Sequence, residues 1–190
     1  MICQYFHGMS ALSETKKIGD LNFVPFLSSG QIQDRIRQIA AEINTDFEDD
    51  TPIFVPILNG AFMFAADLMK EITIPCEVSF VKLASYHGTR STGEIEEILG
   101  LQSDIRGRQV ILVEDIVDTG LTMDRLLKTF REFQPAGISV ATLFVKPEAL
   151  QVSLPLRYKG FEIPNKFIVG YGLDYNGLGR NSRDIYQKAD

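Results

Sequence analysis

The chain has 190 residues, 45% of them apolar and 23% charged, and its 19 Lys and Arg against 25 Asp and Glu give a net charge of −6. That length suffices for one domain with a full core, and the acidic balance lacks the basic footprint of a protein that wraps nucleic acid, leaving room only for a local basic pocket. Cys3 and Cys76 are the only cysteines and offer neither a disulfide framework nor a metal-type spacing, so a reducing, cytoplasmic setting is expected.

Residues 1–20 show no basic segment followed by an apolar one, so no signal peptide is expected, and they read as a loose arm ahead of a single domain over 21–190. "SSGQIQDRIRQIAAEI" has Ile32, Ile36, Ile39 and Ile43 at helical spacing, with Ser28 or Ser29 as N-cap. "PIFVPIL" (52–58) reads as a buried strand, and "AFMFAADLMKEI" (61–72) as a helix opened by the Asn59-Gly60 turn. The apolar stretch spanning both is broken by Asn59, Gly60 and Asp67, which makes it too polar to cross a bilayer; no membrane association is expected. "CEVSFVKLASY" (76–86) reads as a strand, and "HGTRSTGEIEE" (87–97) as a polar, turn-rich loop or weak hairpin. "QVILVE" (109–114) reads as a short buried strand ending at Val113, and "MDRLLKTFREF" as a helix with Met123, Leu126, Leu127 and Phe130 on one face. "GISVATLFVK" (137–146) and "KFIVGYGLD" (166–174) read as further strands.

Strands alternating with helices predict an α/β fold, with a mainly parallel sheet and helices on both faces. Ligands of such sheets bind beyond the carboxyl ends of the strands. Asn59, Glu114, Asp118, Lys146 and Asp174 all fall at such ends.

The densest concentration of chemistry is "VILVEDIVDTGLTM" (110–123). Three carboxylates, Glu114, Asp115 and Asp118, follow an apolar strand, and like charges so placed call for a bound partner. The first turn of the next helix offers unpaired N–H groups and a dipole that favours an anion. Gly120 allows close approach of a ligand, and Thr119 and Thr122 add hydroxyl donors, so the segment suits a phosphate. It is not a Walker A loop, because no Lys follows Gly120. Glu114 and Asp115 can accept from vicinal sugar hydroxyls, and together with the cradle they suit a ribose phosphate. The bland alternative is an acidic surface loop whose Asp118 or Thr119 caps a helix. Gly170 and Gly172 do not complete a dinucleotide motif, since Tyr175 occupies the third glycine position. The only histidines, His7 and His87, lie too far apart in sequence to suggest a His-based metal site.

"VILVEDIVDTGLTM" resembles the signature of the type I phosphoribosyltransferases. "PILNGAFMFAADL", "FVKLASY", "STGEI", "FVK" and "GFEIPNKFIVGYGLDYN…R" resemble, in order and spacing, the hypoxanthine-guanine phosphoribosyltransferases over residues 20–184, with "KFIVGYGLDYN" narrowing the match to 6-oxopurine enzymes. The resemblance implies the type I phosphoribosyltransferase fold with a small hood, built from the C-terminal segment with N-terminal help. It implies transfer of a phosphoribosyl group from 5-phosphoribosyl-1-pyrophosphate to hypoxanthine or guanine in purine salvage, with Mg2+ as cofactor, by a homodimer or homotetramer that binds no nucleic acid.

Residue by residue, the resemblance makes Asp118 the general base at purine N7. Glu114 and Asp115 hold the ribose hydroxyls. The run Ile116, Val117, Asp118, Thr119, Gly120, Leu121 and Thr122 binds ribose and 5′-phosphate. Leu58, Asn59, Gly60 and Arg180 face pyrophosphate. Lys146, Phe167, Ile168 and Asp174 form the purine side, with Lys146 donating to O6 and Phe167 stacking. Glu114, Asp115 and Asp174 are the metal candidates, and Ser85 and Tyr86 begin a lid loop. One departure stands out: many relatives have Lys where this chain has Asn59. In the family the peptide bond before that residue can be cis, whereas the residues alone suggest an ordinary trans turn. Two rivals remain, a regulatory nucleic-acid-binding protein that keeps this fold and a sister enzyme using another base. The first would need a basic face.

Overall fold

The computed structural model of the chain describes residues 14–84, 97–101 and 103–189. In chain order the elements are β1 (Lys16–Ile18), β2 (Leu21–Leu27), α1 (Ser29–Asp46), β3 (Ile53–Leu58), α2 (Phe62–Glu71), β4 (Glu77–Val78), β5 (Val81–Ala84), β6 (Glu97–Leu99), β7 (Gln109–Val117), α3 (Leu121–Glu132), β8 (Gly137–Val145), β9 (Leu156–Glu162), β10 (Ile168–Val169) and β11 (Ile185–Lys188). The main sheet runs β6-β5-β3-β7-β8-β9, parallel except for β6, with β4 also pairing β3.

Both faces are covered, which is why β3, β7 and β8 are near-continuous apolar runs rather than alternating ones. Ile53, Val55, Ile57, Val110 and Leu112 pack on one face with Met123, Leu126, Leu127 and Phe130 of α3. Phe54, Ile111, Val113 and Leu143 pack on the other with the α1 isoleucines and with Phe64, Ala65 and Leu68 of α2. The chain leaves β3 toward β5 on one side and returns to β7 on the other. The carboxyl ends of β3 and β7 therefore flank the point where strand order reverses, the usual place for a ligand crevice.

A second, antiparallel sheet, ordered β1-β2-β11-β10, forms the hood. Its core is Ile18, Phe23, Val169 and Tyr186. The hood thus takes two strands from each end of the described chain, and β1 brings the last residues of the expected arm into it.

Some boundaries differ from those read in the sequence. β7 continues to Val117, pairing Ile116 with Phe144 and Val117 with Val145, so Glu114 and Asp115 lie on a strand rather than after one. The expected strand over 76–86 is two short pieces interrupted at Ser79-Phe80. The expected strand over 166–174 is only Ile168–Val169 and belongs to the hood, because Gly170, Tyr171 and Gly172 all take positive φ and turn the chain. β9 escaped notice because Arg157, Lys159 and Glu162 mask its pattern; it is an edge strand, where exposed charges guard against stray pairing.

The α1 start is specified locally. Ser28 Oγ accepts from Gln31 N at 3.4 Å, and Gln31 Oε1 accepts from Ser28 N at 3.0 Å, a reciprocal capping box. Ser28→Ala is expected to lower folding stability by about 1 kcal/mol. Urea denaturation measures this, and an unchanged midpoint would show that the cap carries no weight.

Candidate active site

The site is built from the ends of β3, β7 and β8 and from the C-terminal loop, in which Asp174 lies rather than at the strand end expected for it. At the end of β3 the Leu58–Asn59 peptide bond is cis, the geometry that the family resemblance allowed and that the residues alone did not suggest. Asn59 is exposed. A Cβ on Gly60 would overlap the Asp115 carboxylate, so only glycine lets the β3 loop lie against β7.

β7 supplies the floor. Asp115 is 7% exposed, and its Oδ1 accepts from Ile116 N at 2.8 Å. The neighbouring Glu114 carboxyl is pushed well above the usual range, by burial first and then by the charge and hydrogen bonding of Asp115. Glu114 still touches solvent in the cleft, so its environment is a deep but open floor. Beyond β7, Gly120 takes φ 81° at the N-cap of α3 and has no side chain to cap it, while Thr119 Oγ1 accepts from Leu121 N at a long 3.5 Å. Thr119, Gly120 and Thr122 line the cleft at this helix start, where unpaired first-turn amides give the polarity an anion needs. Leu150, Val152 and Leu154 pack where a Gly120 side chain would lie, and Gln151 N donates to Thr119 O at 2.9 Å, so the segment after β8 braces the cradle from behind.

The resulting cleft, about 290 Å³, is lined by Ile57, Leu58, Gly60, the run from Glu114 to Gly120, Thr122 and Met123. Ile57 and Met123 had read only as core residues of a strand and a helix. Their apolar periodicity gave no sign that they also edge the cleft.

Lys146 ends β8. It is 6% exposed, and its Nζ donates to Asp118 Oδ2 at 2.7 Å, while Asp118 is half exposed. The register that pairs Val117 with Val145 places these two residues side by side.

The C-terminal loop closes the far side. A Cβ on Gly172 would overlap Gly60 O, so this loop and the β3 loop meet backbone to backbone. Arg180 donates to Gly172 O at 2.6 Å and pairs with Asp174 Oδ1 at 2.5 Å, while Asp174 Oδ2 accepts from Gly177 N at 2.6 Å. Phe167 does not line the main cleft. It is 43% exposed and borders a smaller pocket of about 180 Å³ with Lys166, Lys188 and Ala189. Its ring lies 5.9 Å from that of Tyr175, the residue after Asp174, and Ile168 is buried beside it in β10. Ser85, Tyr86 and residues 87–96 of the loop expected over 87–97 fall outside the described residues, and Glu97 begins β6.

Among the described residues no three His, Cys, Asp or Glu side chains gather into a metal cluster. Glu114 and Asp115 adjoin, whereas Asp174 is held by Arg180 and Gly177. Such a hard-oxygen pair in an open cleft fits a Mg2+ that takes most of its ligands from water and a phosphate substrate, and does not fit an all-protein cage.

A model described as the phosphoribosyl transferase domain matches residues 27–176. The hypoxanthine-guanine-xanthine phosphoribosyltransferase of Tritrichomonas foetus is 39% identical over 171 residues, covering 90% of this chain and 93% of that protein. The hypoxanthine-guanine phosphoribosyltransferase of Streptococcus pneumoniae strain R6 is 41% identical over 156 residues, covering 82% and 87%. A crystal structure of a hypoxanthine-guanine phosphoribosyltransferase from Bacillus anthracis superposes with a TM-score of 0.77 at 36% identity, covering 86% of this chain and 96% of that one. A matched family domain over most of the chain, relatives aligned over nearly their full length and a shared fold agree: the chain belongs to the phosphoribosyl transferase family, among the hypoxanthine-guanine phosphoribosyltransferases.

Proposed function

We propose that this protein is a purine salvage enzyme that transfers the 5-phosphoribosyl group of 5-phosphoribosyl-1-pyrophosphate to hypoxanthine or guanine, giving the 5′-monophosphate nucleotide and pyrophosphate. The observation that carries this reading is the Lys146–Asp118 pair beside the phosphate cradle. A 6-oxopurine presents an acceptor at O6 and a proton at the adjacent N7. A lysine, which only donates, and a carboxylate 2.7 Å away match those two positions.

In this reading the 5′-phosphate sits on the amides and hydroxyls from Thr119 to Thr122, and the ribose diol faces Glu114 and Asp115. Purine N9 bonds to C1′ of the ribose as the bond from C1′ to pyrophosphate breaks, and Asp118 accepts the N7 proton. Positive charge develops on the ribose in an oxocarbenium-like transition state, which the neighbouring carboxylates stabilise. Pyrophosphate leaves past Leu58, Asn59, Gly60 and Arg180. Glu114, Asp115 and Asp174 would hold a Mg2+, which would supply charge to neutralise the departing pyrophosphate. Phe167 and Ile168 complete the base side from the hood. A cytoplasmic setting, a homodimeric or homotetrameric assembly and one catalytic domain over 21–190 belong to the same reading.

A spectrophotometric assay with each base, with and without Mg2+, tests the activity. Hypoxanthine and guanine are expected to react and adenine to be poorer by on the order of 10⁴-fold, because its 6-amino group sets a donor against Lys146. Comparable kcat/KM for adenine and hypoxanthine would refute the assignment of Lys146. Asp118→Asn should lower kcat by roughly 10²–10⁴-fold with donor binding nearly intact, and near wild-type turnover would remove it as the base. Asn59 is exposed, so Asn59→Ala should barely change pyrophosphate affinity, while Gly60→Val, which drives a side chain into Asp115, should weaken it far more. Equal losses in calorimetric titration would mean that the Asn59 side chain, not the loop backbone, makes the contact.

A further inference from the structure

Tyr171 is an unusual residue in an unusual place. Gly170 and Leu173 exchange backbone hydrogen bonds, at 3.1 and 3.0 Å, around a tight turn whose inner residues are Tyr171 at φ 47° and Gly172 at φ 99°. Two positive φ values mark a type I′ turn, whose inner positions favour Gly, Asn or Asp. A bulky aromatic in the left-handed region is an outlier that its surroundings must enforce.

Here the enforcement is visible. The Tyr171 ring is 2% exposed, and its hydroxyl donates to Asp67 Oδ2 of α2 at 2.5 Å. Asp67 also accepts from Gln33 of α1 at 2.5 Å and pairs with Lys70 at 2.7 Å. Burial opposes its charge, but Lys70, Tyr171 and Gln33 outweigh that and hold its carboxyl below the usual range. The next residue, Gly172, abuts Gly60 O and accepts the Arg180 guanidinium, and Asp174 follows two residues later. The helix that carries Asp67 begins directly after the Gly60 loop. Backbone bonds from Tyr171 N to Ser182 O and from Gly172 N to Arg180 O shape the turn that carries Asp174 and Arg180, and the Tyr171 hydroxyl, which also accepts from Gln33, is the bond that ties it to α2 behind the β3 loop.

Resting on the phosphoribosyl-transfer reading, we propose that Tyr171 and Asp67 form a positioning latch for the pyrophosphate half of the site. The pair touches neither substrate. It sets where the Gly172–Arg180 loop meets Gly60, and so tunes affinity for the pyrophosphate-bearing donor without altering the base side.

Tyr171→Phe removes the hydroxyl and keeps the ring in the core. It should raise the Kd for 5-phosphoribosyl-1-pyrophosphate with Mg2+, read by calorimetry, about tenfold, as expected for a lost hydrogen bond to a charged group. The KM for hypoxanthine should stay within about twofold of wild type. Asp67→Ala should match it, and the double variant should be no worse than Asp67→Ala alone, the non-additivity of residues acting as one unit. Tyr158→Phe is the control. It loses a like bond, from the Tyr158 hydroxyl to Asp46 at 2.7 Å, at a strand position beside Ala141 and away from Lys146. It should lower Tm without changing donor affinity. Unchanged donor affinity in Tyr171→Phe, a loss no larger than in Tyr158→Phe, or equal losses for donor and base would each overturn the latch. Donor binding without turnover in the wild type would refute the transfer reading and leave the latch judged on binding alone; absence of donor binding in the wild type would overturn both.

Discussion

A lysine ammonium buried at the end of a parallel strand must find an anion, and in this protein that requirement ties the sheet to the chemistry. Lys146 is 6% exposed, and Asp118 across the β7–β8 pair supplies the counter-charge. Leaving the buried ammonium unpaired is costly, though solvent at the half-exposed Asp118 screens the pair and keeps the cost below that of a fully buried one. The pairing ties the segment after β7 to the end of β8, and Thr119, Gly120 and Thr122 line the cleft beside it. A substrate that offers an acceptor and a proton side by side can replace each partner of the pair with little rearrangement. A ligand with a donor in place of the acceptor leaves the lysine unsatisfied.

The second constraint is steric. Two backbone contacts hold the opposing halves of the site together, Gly60 on the Asp115 carboxylate and Gly172 on Gly60 O. Both need the absence of a side chain. They place Asp115, the β3 loop and the C-terminal loop in mutual contact at the point where strand order reverses. The hood contributes through the same loop. Its Phe167 reaches Tyr175 and Phe23, while Tyr175 donates to Asp20 in the turn between β1 and β2, so segments from both ends of the described chain converge around Phe167.

Features written in contiguous residues were legible in the sequence. The α1 isoleucines, the apolar face of α3, the core strand over 53–58 and the cradle from Thr119 to Thr122 all follow from local spacing and local chemistry. Features that depend on register or on the turn of a distant loop were not. That Asp118 partners Lys146 follows only once Val117 is seen opposite Val145. That Tyr171 bonds Asp67 joins segments 104 residues apart, and apolar neighbours made Tyr171 look like part of a strand. β9 hid behind alternating charges, since an edge strand need not be apolar, and Pro25 interrupts the mostly apolar β2. The family resemblance, by contrast, named the residues that line the cleft apart from Ile57 and Met123, because it rests on order along the chain, which folding preserves.

The most direct measurement is a crystal structure of the protein with the 5′-monophosphate of hypoxanthine bound. The account predicts that Lys146 Nζ leaves Asp118 to donate to O6, that the Asp118 carboxylate faces N7, and that the phosphate lies on the amides from Thr119 to Thr122. A nucleotide bound with the Lys146–Asp118 pair intact and its phosphate away from the start of α3 would contradict it.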